Sequence, residues 1–197
     1  MKFYLDTVSL TEIQEIGSLG ILDGIAMNAS LVSEQGLNFH AWIREICLYV
    51  DSPISMGVVS IEEEAIVKEG IELSKIHSNV LVKCPLTPSG LKATKRLTAE
   101  DIRVNVSLCF SLTQALIAAK SGAWCVSICP GYASDNQYKE NDITRKFVKV
   151  FRDYGLSTQV LLSDIRSPHE VLDAALAGGH ICTMQAAMFR QLFDPAV

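Results

Sequence analysis

No stretch of this 197-residue chain approaches the ~18 consecutive apolar residues that a membrane span needs. A basic excess is missing too. Seventeen Lys and Arg against 22 Asp and Glu leave a net charge of −5, which offers no cationic field to nucleic acid or to an anionic membrane. The six cysteines (Cys47, Cys84, Cys109, Cys125, Cys129, Cys182) lack metal-ligand spacing, and the four histidines (His40, His77, His169, His180) do not cluster with them. A metal site is therefore not expected, and the cysteines read as reduced core residues of a reducing compartment. Glycine is absent from Leu5-Asp6-Thr7-Val8-Ser9, where a dinucleotide-binding chain would carry its phosphate loop. The opening Met1-Lys2-Phe3-Tyr4-Leu5-Asp6 reads as a strand rather than a signal peptide, so a cytoplasmic protein is expected.

What the chain does have is one unit, repeated. An apolar fraction of 49% suits a large buried core in a single domain over 1–197. Strand-like runs at 2–6, 24–28, 54–59, 80–85, 104–109, 124–129, 158–164 and 180–184 alternate with amphipathic runs at about 9–18, 38–50, 61–76, 88–96, 112–121, 137–154, 168–177 and 186–193. Ser60-Ile61-Glu62-Glu63 reads as a capping box, Ser167-Pro168 as a helix start, and Ser111 as the cap before Leu112. Gly20, Gly122, Gly155 and Gly178 read as helix stops. Near-continuous apolar strands imply a parallel sheet covered by helices. Eight units of about 25 residues close naturally into an α/β (β/α)8 barrel, although the same elements also suit an open doubly wound sheet.

Lys83 is the most informative residue. It is the one charge at the end of Asn79-Val80-Leu81-Val82-Lys83-Cys84-Pro85, where alternation places Leu81 and Lys83 on one face and Val80, Val82 and Cys84 on the other. A lysine facing inward from such a strand must be paired or must lose its proton, and the neutral amine is a nucleophile toward carbonyl carbon. Other polar residues close neighbouring strands: Asp6, Asn28, Asn105 with Ser107, Ser127, and Asp164 with Arg166 just beyond. Each alone has a structural explanation as a cap or turn residue. Together, inward polar groups at matching ends of six strands need one another, water or a ligand. A lysine ringed by Asp, Asn and Ser suits class I aldol chemistry.

Lys2-Phe3-Tyr4-Leu5-Asp6-Thr7, Leu22-Asp23-Gly24-Ile25, Asn28-Ala29-Ser30-Leu31, Val82-Lys83-Cys84-Pro85-Leu86-Thr87 with Gly90-Leu91, and Asn105-Val106-Ser107-Leu108-Cys109-Phe110-Ser111 resemble the small transaldolase and fructose-6-phosphate aldolase family. The likeness runs in register over nearly the whole chain. It implies a TIM barrel, a Schiff-base lysine at Lys83 and an acid/base carboxylate at Asp6, with Ser107 assisting. Ligand-holding roles fall to Asn28, Asn105, Ser127, Asp164, Arg166 and Tyr132. It further implies carbohydrate chemistry of the pentose phosphate kind on a sugar or sugar phosphate, no cofactor or metal, and a homo-oligomer.

The chain departs from that pattern at several points. Ala26-Met27-Asn28-Ala29-Ser30 stands where the family usually reads Thr-Thr-Asn-Pro-Ser. Gly57 replaces an inward glutamate or glutamine of the third strand, and Ser107 a threonine. Gly131-Tyr132 replaces a Gly-Arg pair whose arginine grips phosphate, while Asp164 takes the place of a serine beside the matching Arg166. Losing a cation and gaining a carboxylate should weaken phosphate binding, which leaves room for a neutral sugar or a short ketone. A C-terminal helix shorter than the family's is expected, and the family's pentamer or decamer is not expected to carry over as such. Two expectations follow: a Schiff-base enzyme that moves or cleaves a dihydroxyacetone unit, or an impaired paralogue kept for sugar binding or assembly.

Overall fold

A computed structural model describes residues 1–27, 32, 39–129 and 140–194. Eight parallel strands close on themselves in sequence order. They are β1 (Lys2–Asp6), β2 (Gly24–Met27), β3 (Ile54–Gly57), β4 (Val80–Pro85), β5 (Val104–Cys109), β6 (Cys125–Ile128), β7 (Gln159–Ile165) and β8 (Ile181–Met184). Closure runs through Lys2↔Ile181 to Leu5↔Met184 between β1 and β8. The described helices are α1 (Leu10–Gly17), α2 (Phe39–Cys47), α3 (Glu63–Ser74), α4 (Pro88–Ala99), α5 (Leu112–Lys120), α6 (Glu140–Asp153), α7 (Pro168–Leu176) and α8 (Ala186–Gln191). The chain is a (β/α)8 barrel, and the open-sheet alternative is excluded. Among the described residues no helix is long and apolar enough to cross a membrane.

Strand parity divides the core in two. Val80, Val82, Cys84, Val104, Val106, Val160 and Leu162 face outward into the apolar layer beneath the helices. Tyr4, Leu81, Cys125, Leu161 and Ile181 form a separate buried cluster inside the barrel, with Trp124 packed against it. At that end Lys2 and Arg103 lie over the Trp124 ring, 5.5 and 5.9 Å from its centroid. The barrel is therefore plugged at its N-terminal end, and its polar positions lie toward the C-terminal mouth.

Local signals place most helix ends. Ser111 and Gln114 form a reciprocal capping box, and Ser167 accepts from the Glu170 N–H ahead of Pro168. The four stop glycines all adopt positive φ. The box expected at Ser60 does not form. α3 starts at Glu63 with Glu62 as an N-cap that makes no side-chain bond. Instead Glu69, on the second turn, reaches back and accepts from the Val59 and Ser60 N–H groups at 2.9 and 3.0 Å. Glu69 thereby takes the Ser60 N–H that the Glu63 side chain would have taken in the box.

All six cysteines are free. Burial pushes the Cys84, Cys109 and Cys182 thiols up to about 12, so they pack as inert apolar groups.

The turn after β4 depends on a close approach. Thr87 caps α4 by accepting from the Gly90 N–H at 3.0 Å, and a methyl at Gly90 would meet the Pro85 carbonyl oxygen at 2.0 Å. That oxygen belongs to rigid backbone two residues past Lys83. Gly90→Ala should destabilise the fold by about 3 kcal/mol, as overpacking against backbone does. Urea unfolding measures this, and a midpoint equal to wild type would contradict the packing described.

Candidate active site

The inward positions stack from floor to mouth. One step above the apolar plug lies a buried polar chain: Ser127 donates to the Asn105 Oδ1 at 2.9 Å, and the Asn105 amide donates to the Ser55 Oγ at 3.1 Å. All three residues are buried, and the chain satisfies polar atoms that burial would otherwise penalise. Across the barrel Ser163 donates to the Ile128 carbonyl at 3.1 Å, and Thr183 to the Leu162 carbonyl at 3.4 Å. Ser107 is half-buried and donates to the Cys84 carbonyl at 3.3 Å.

Lys83 stands in this polar layer with Gly57 of β3 on one side and Asn105 of β5 on the other. Its side chain crosses β3 over Gly57, where an added Cβ would lie 3.2 Å from the lysine Cε. The amine then donates to the Met27 carbonyl at the end of β2, at 3.0 Å. Gly57 is thus the gap through which the lysine stem passes.

Two opposed influences act on the amine. Burial pushes Lys83 below the ordinary lysine range, while the Asp6 carboxylate pulls it back up. Burial raises Asp6 above the ordinary carboxylate range, the Lys83 ammonium lowers it, and the Asp164 carboxylate raises it further. Lys83 and Asp6 are therefore electrostatic partners within the mouth.

The rim carries two strained bulges. Leu108 and Asp164 have φ of +65° and +63°, each at a register shift, between Val106 and Cys109 on β5 and between Leu162 and Ile165 on β7. The extra residue lets Cys109 and Ile165 return to the helix-facing core while Leu108 and Asp164 stay exposed at the mouth. Asp164 accepts twice on one oxygen from Arg166, from Nε at 3.1 Å and from Nη2. Asp6, Asp164, Arg166, Thr183, Gln185 and Gln191 supply the polar wall of a cavity of about 360 Å³ between β1, β7, β8 and α8.

Of the residues expected at the site, Lys83, Asp6, Ser107, Asn105 and Ser127 share the barrel interior, and Asp164 and Arg166 stand at its rim. Asp164 is not an inward strand residue: alternation from Leu161 gives the inward place to Ser163, and the bulge keeps Asp164 exposed on the rim while Ile165 takes the helix-facing position. Asn28 and Tyr132 lie outside the described residues. Ser55, Ser163 and Thr183 join the interior too, and alternation alone assigns them there, since each stands two residues from an inward neighbour. The Met27 carbonyl, a backbone group, leaves no signal in sequence.

A polar, lysine-centred mouth on a (β/α)8 barrel defines the class, and comparison with known proteins narrows it. The family model for Transaldolase/Fructose-6-phosphate aldolase matches residues 3–196. Probable transaldolases of Sorangium cellulosum, Bacillus cereus and Thermodesulfovibrio yellowstonii are 45%, 43% and 42% identical over 192 residues. These matches cover 98% of this chain and 89%, 89% and 90% of the respective relatives. The crystal structure of a 3-hexulose-6-phosphate synthase superposes with a TM-score of 0.69 at 16% identity, covering 100% of this chain and 95% of its own, a likeness of fold. The chain belongs to the transaldolase/fructose-6-phosphate aldolase family, and its class is transaldolase-like.

The electrostatic pairing has a measurable sign. Asp6→Asn removes the group that favours the ammonium and leaves burial, so the Lys83 pKa should fall. Competitive acetylation of the amine as a function of pH, read by peptide mass, should show its midpoint moving to lower pH in Asp6→Asn. An unchanged or higher midpoint would mean that the two groups are not coupled.

Proposed function

We propose that this protein is a class I enzyme that transfers or cleaves a dihydroxyacetone unit of a ketose through a Schiff base on Lys83. The observation that carries the reading is the amine itself: enclosed in the barrel mouth, depressed by burial and paired with Asp6. A fraction of neutral lysine at working pH is what attack on a ketone requires.

In this reading the Lys83 amine leaves Met27 and adds to the ketose carbonyl. Asp6, carrying a proton at this stage, gives it to the carbinolamine hydroxyl, which leaves as water to form a protonated imine and a carboxylate. Asp6, a carboxylate whose affinity for protons burial has raised, takes the proton from the hydroxyl borne by the far carbon of the bond that breaks. The electron pair of that carbon–carbon bond moves into the imine to give an enamine, and an aldehyde departs. A second aldehyde can be captured by the enamine, which is transfer. Alternatively the enamine takes a proton and water hydrolyses the imine, which is cleavage. Ser107 and the Asn105–Ser127 pair supply neutral hydrogen bonds to the hydroxyls of the bound unit.

Trapping tests this directly. Incubation with dihydroxyacetone, then borohydride reduction and peptide mass analysis, should place a stable adduct on Lys83 that Lys83→Met lacks. Asp6→Asn should lower turnover by about 10²–10⁴-fold, the usual contribution of an acid/base group. An unmodified mass across a panel of ketoses and ketose phosphates would favour instead an impaired, sugar-binding paralogue, a reading that Gly57 motivates.

A further inference from the structure

The cavity between β7, β8 and α8 adjoins Asp6 and so extends the mouth in which Lys83 lies. Its charges are arranged unusually for a pocket expected to meet phosphate. Asp6 and Asp164 oppose a single guanidinium, Arg166, among its lining residues. That guanidinium is already engaged by Asp164 through two N–H groups.

Two backbone donors after β7 are committed as well. The loop from β7 into α7 ends at a helix start, where free N–H groups ordinarily attract anions. Here the Arg166 N–H donates to the Glu170 carboxylate at 3.0 Å, and the Glu170 N–H donates to Ser167 at 3.2 Å. The protein's own carboxylates therefore occupy the Arg166 side chain and its main-chain donor. Asp164 is held in place by the bulge, whose left-handed backbone aspartate tolerates better than most residues.

We propose that this cavity receives an uncharged, hydroxyl-bearing end of the substrate, and that Asp164 is the specificity-determining residue that excludes phosphate by occupying Arg166. A phosphate entering here would have to displace a bonded carboxylate and then lie beside it. A hydroxyl need not. It can donate to the outer Asp164 oxygen and exchange hydrogen bonds with Gln185, Gln191 or Thr183, each of which offers an acceptor. The substrate class is a neutral sugar or hydroxyaldehyde.

This rests on the Schiff-base reading for its substrate, but the charge arrangement can be tested without catalysis. Titration calorimetry with inorganic phosphate on the full chain should give no binding for wild type and measurable binding for Asp164→Asn. Binding should be lost again in Asp164→Asn/Arg166→Met. Asparagine keeps the size and the left-handed preference of aspartate, so folding is preserved and charge alone changes. Phosphate binding by wild type, or none by Asp164→Asn, overturns the assignment whatever trapping on Lys83 shows.

Kinetics supply the second arm. With dihydroxyacetone as the other substrate, wild type should favour glyceraldehyde over glyceraldehyde 3-phosphate. Asp164→Asn should shift that kcat/KM ratio toward the phosphate by about tenfold or more, chiefly through KM, as a freed guanidinium–phosphate pair would. A ratio that stays put, with both substrates affected alike, would reduce Asp164 to a structural residue. A missing Lys83 adduct with phosphate binding as forecast would instead sink the Schiff-base reading and leave the charge assignment standing.

Discussion

Everything at this site depends on an amine being enclosed where water cannot fully solvate its charge. The plug of Tyr4, Leu81, Cys125, Leu161 and Ile181 closes the barrel below, and the Ser55–Asn105–Ser127 chain forms the layer in which Lys83 stands. Without the plug, water would enter from the N-terminal end and the amine would behave as an ordinary lysine. With the plug but without Asp6, burial would act unopposed. The barrel thus sets the lysine between desolvation, which favours the amine, and a carboxylate, which favours the ammonium. Under the proposed Schiff-base reading, such opposed influences suit a group that alternates between protonation states.

The rim obeys a different constraint. Leu108 and Asp164 occupy left-handed backbone on β5 and β7, two strands apart, each following an inward serine. A leucine in that region is costly, on the order of 1–3 kcal/mol, and persists because the surrounding register imposes it. What the bulges accomplish is geometric. They return Cys109 and Ile165 to the outer core and leave one side chain per bulge at the mouth. On β7 that side chain is the carboxylate engaging Arg166, so a backbone irregularity decides the charge of the rim.

Much of this is legible in sequence because period-two alternation and eight-fold repetition are strong signals. The strand positions, the inward face of Lys83 and the company of Asn105 and Ser127 all follow from parity. The bulges do not, since an extra residue in a strand depends on its neighbour's register and leaves the local pattern looking regular. Asp164 reads as a site residue from its place at the strand end, whereas strict alternation from Leu161 gives the interior to Ser163 and leaves Asp164 on the other face. The start of α3 misleads for a related reason. Ser60 has the right spacing for a box, but nothing local reveals that Glu69 will fold back onto the same N–H groups.

Gly57 shows how a single missing side chain shapes the resting site. Its bare Cα lets the Lys83 stem cross β3 and reach the Met27 carbonyl. That carbonyl binds the ammonium more strongly than the amine, because a charged donor makes the better hydrogen bond. Resting on Met27 therefore adds to Asp6 in holding the proton on the amine. A larger residue at 57 would crowd Cε and push the stem off this contact. Gly57 and the Lys83–Met27 bond are thus one feature, and the glycine trades a side chain near the amine for a place where the amine can wait.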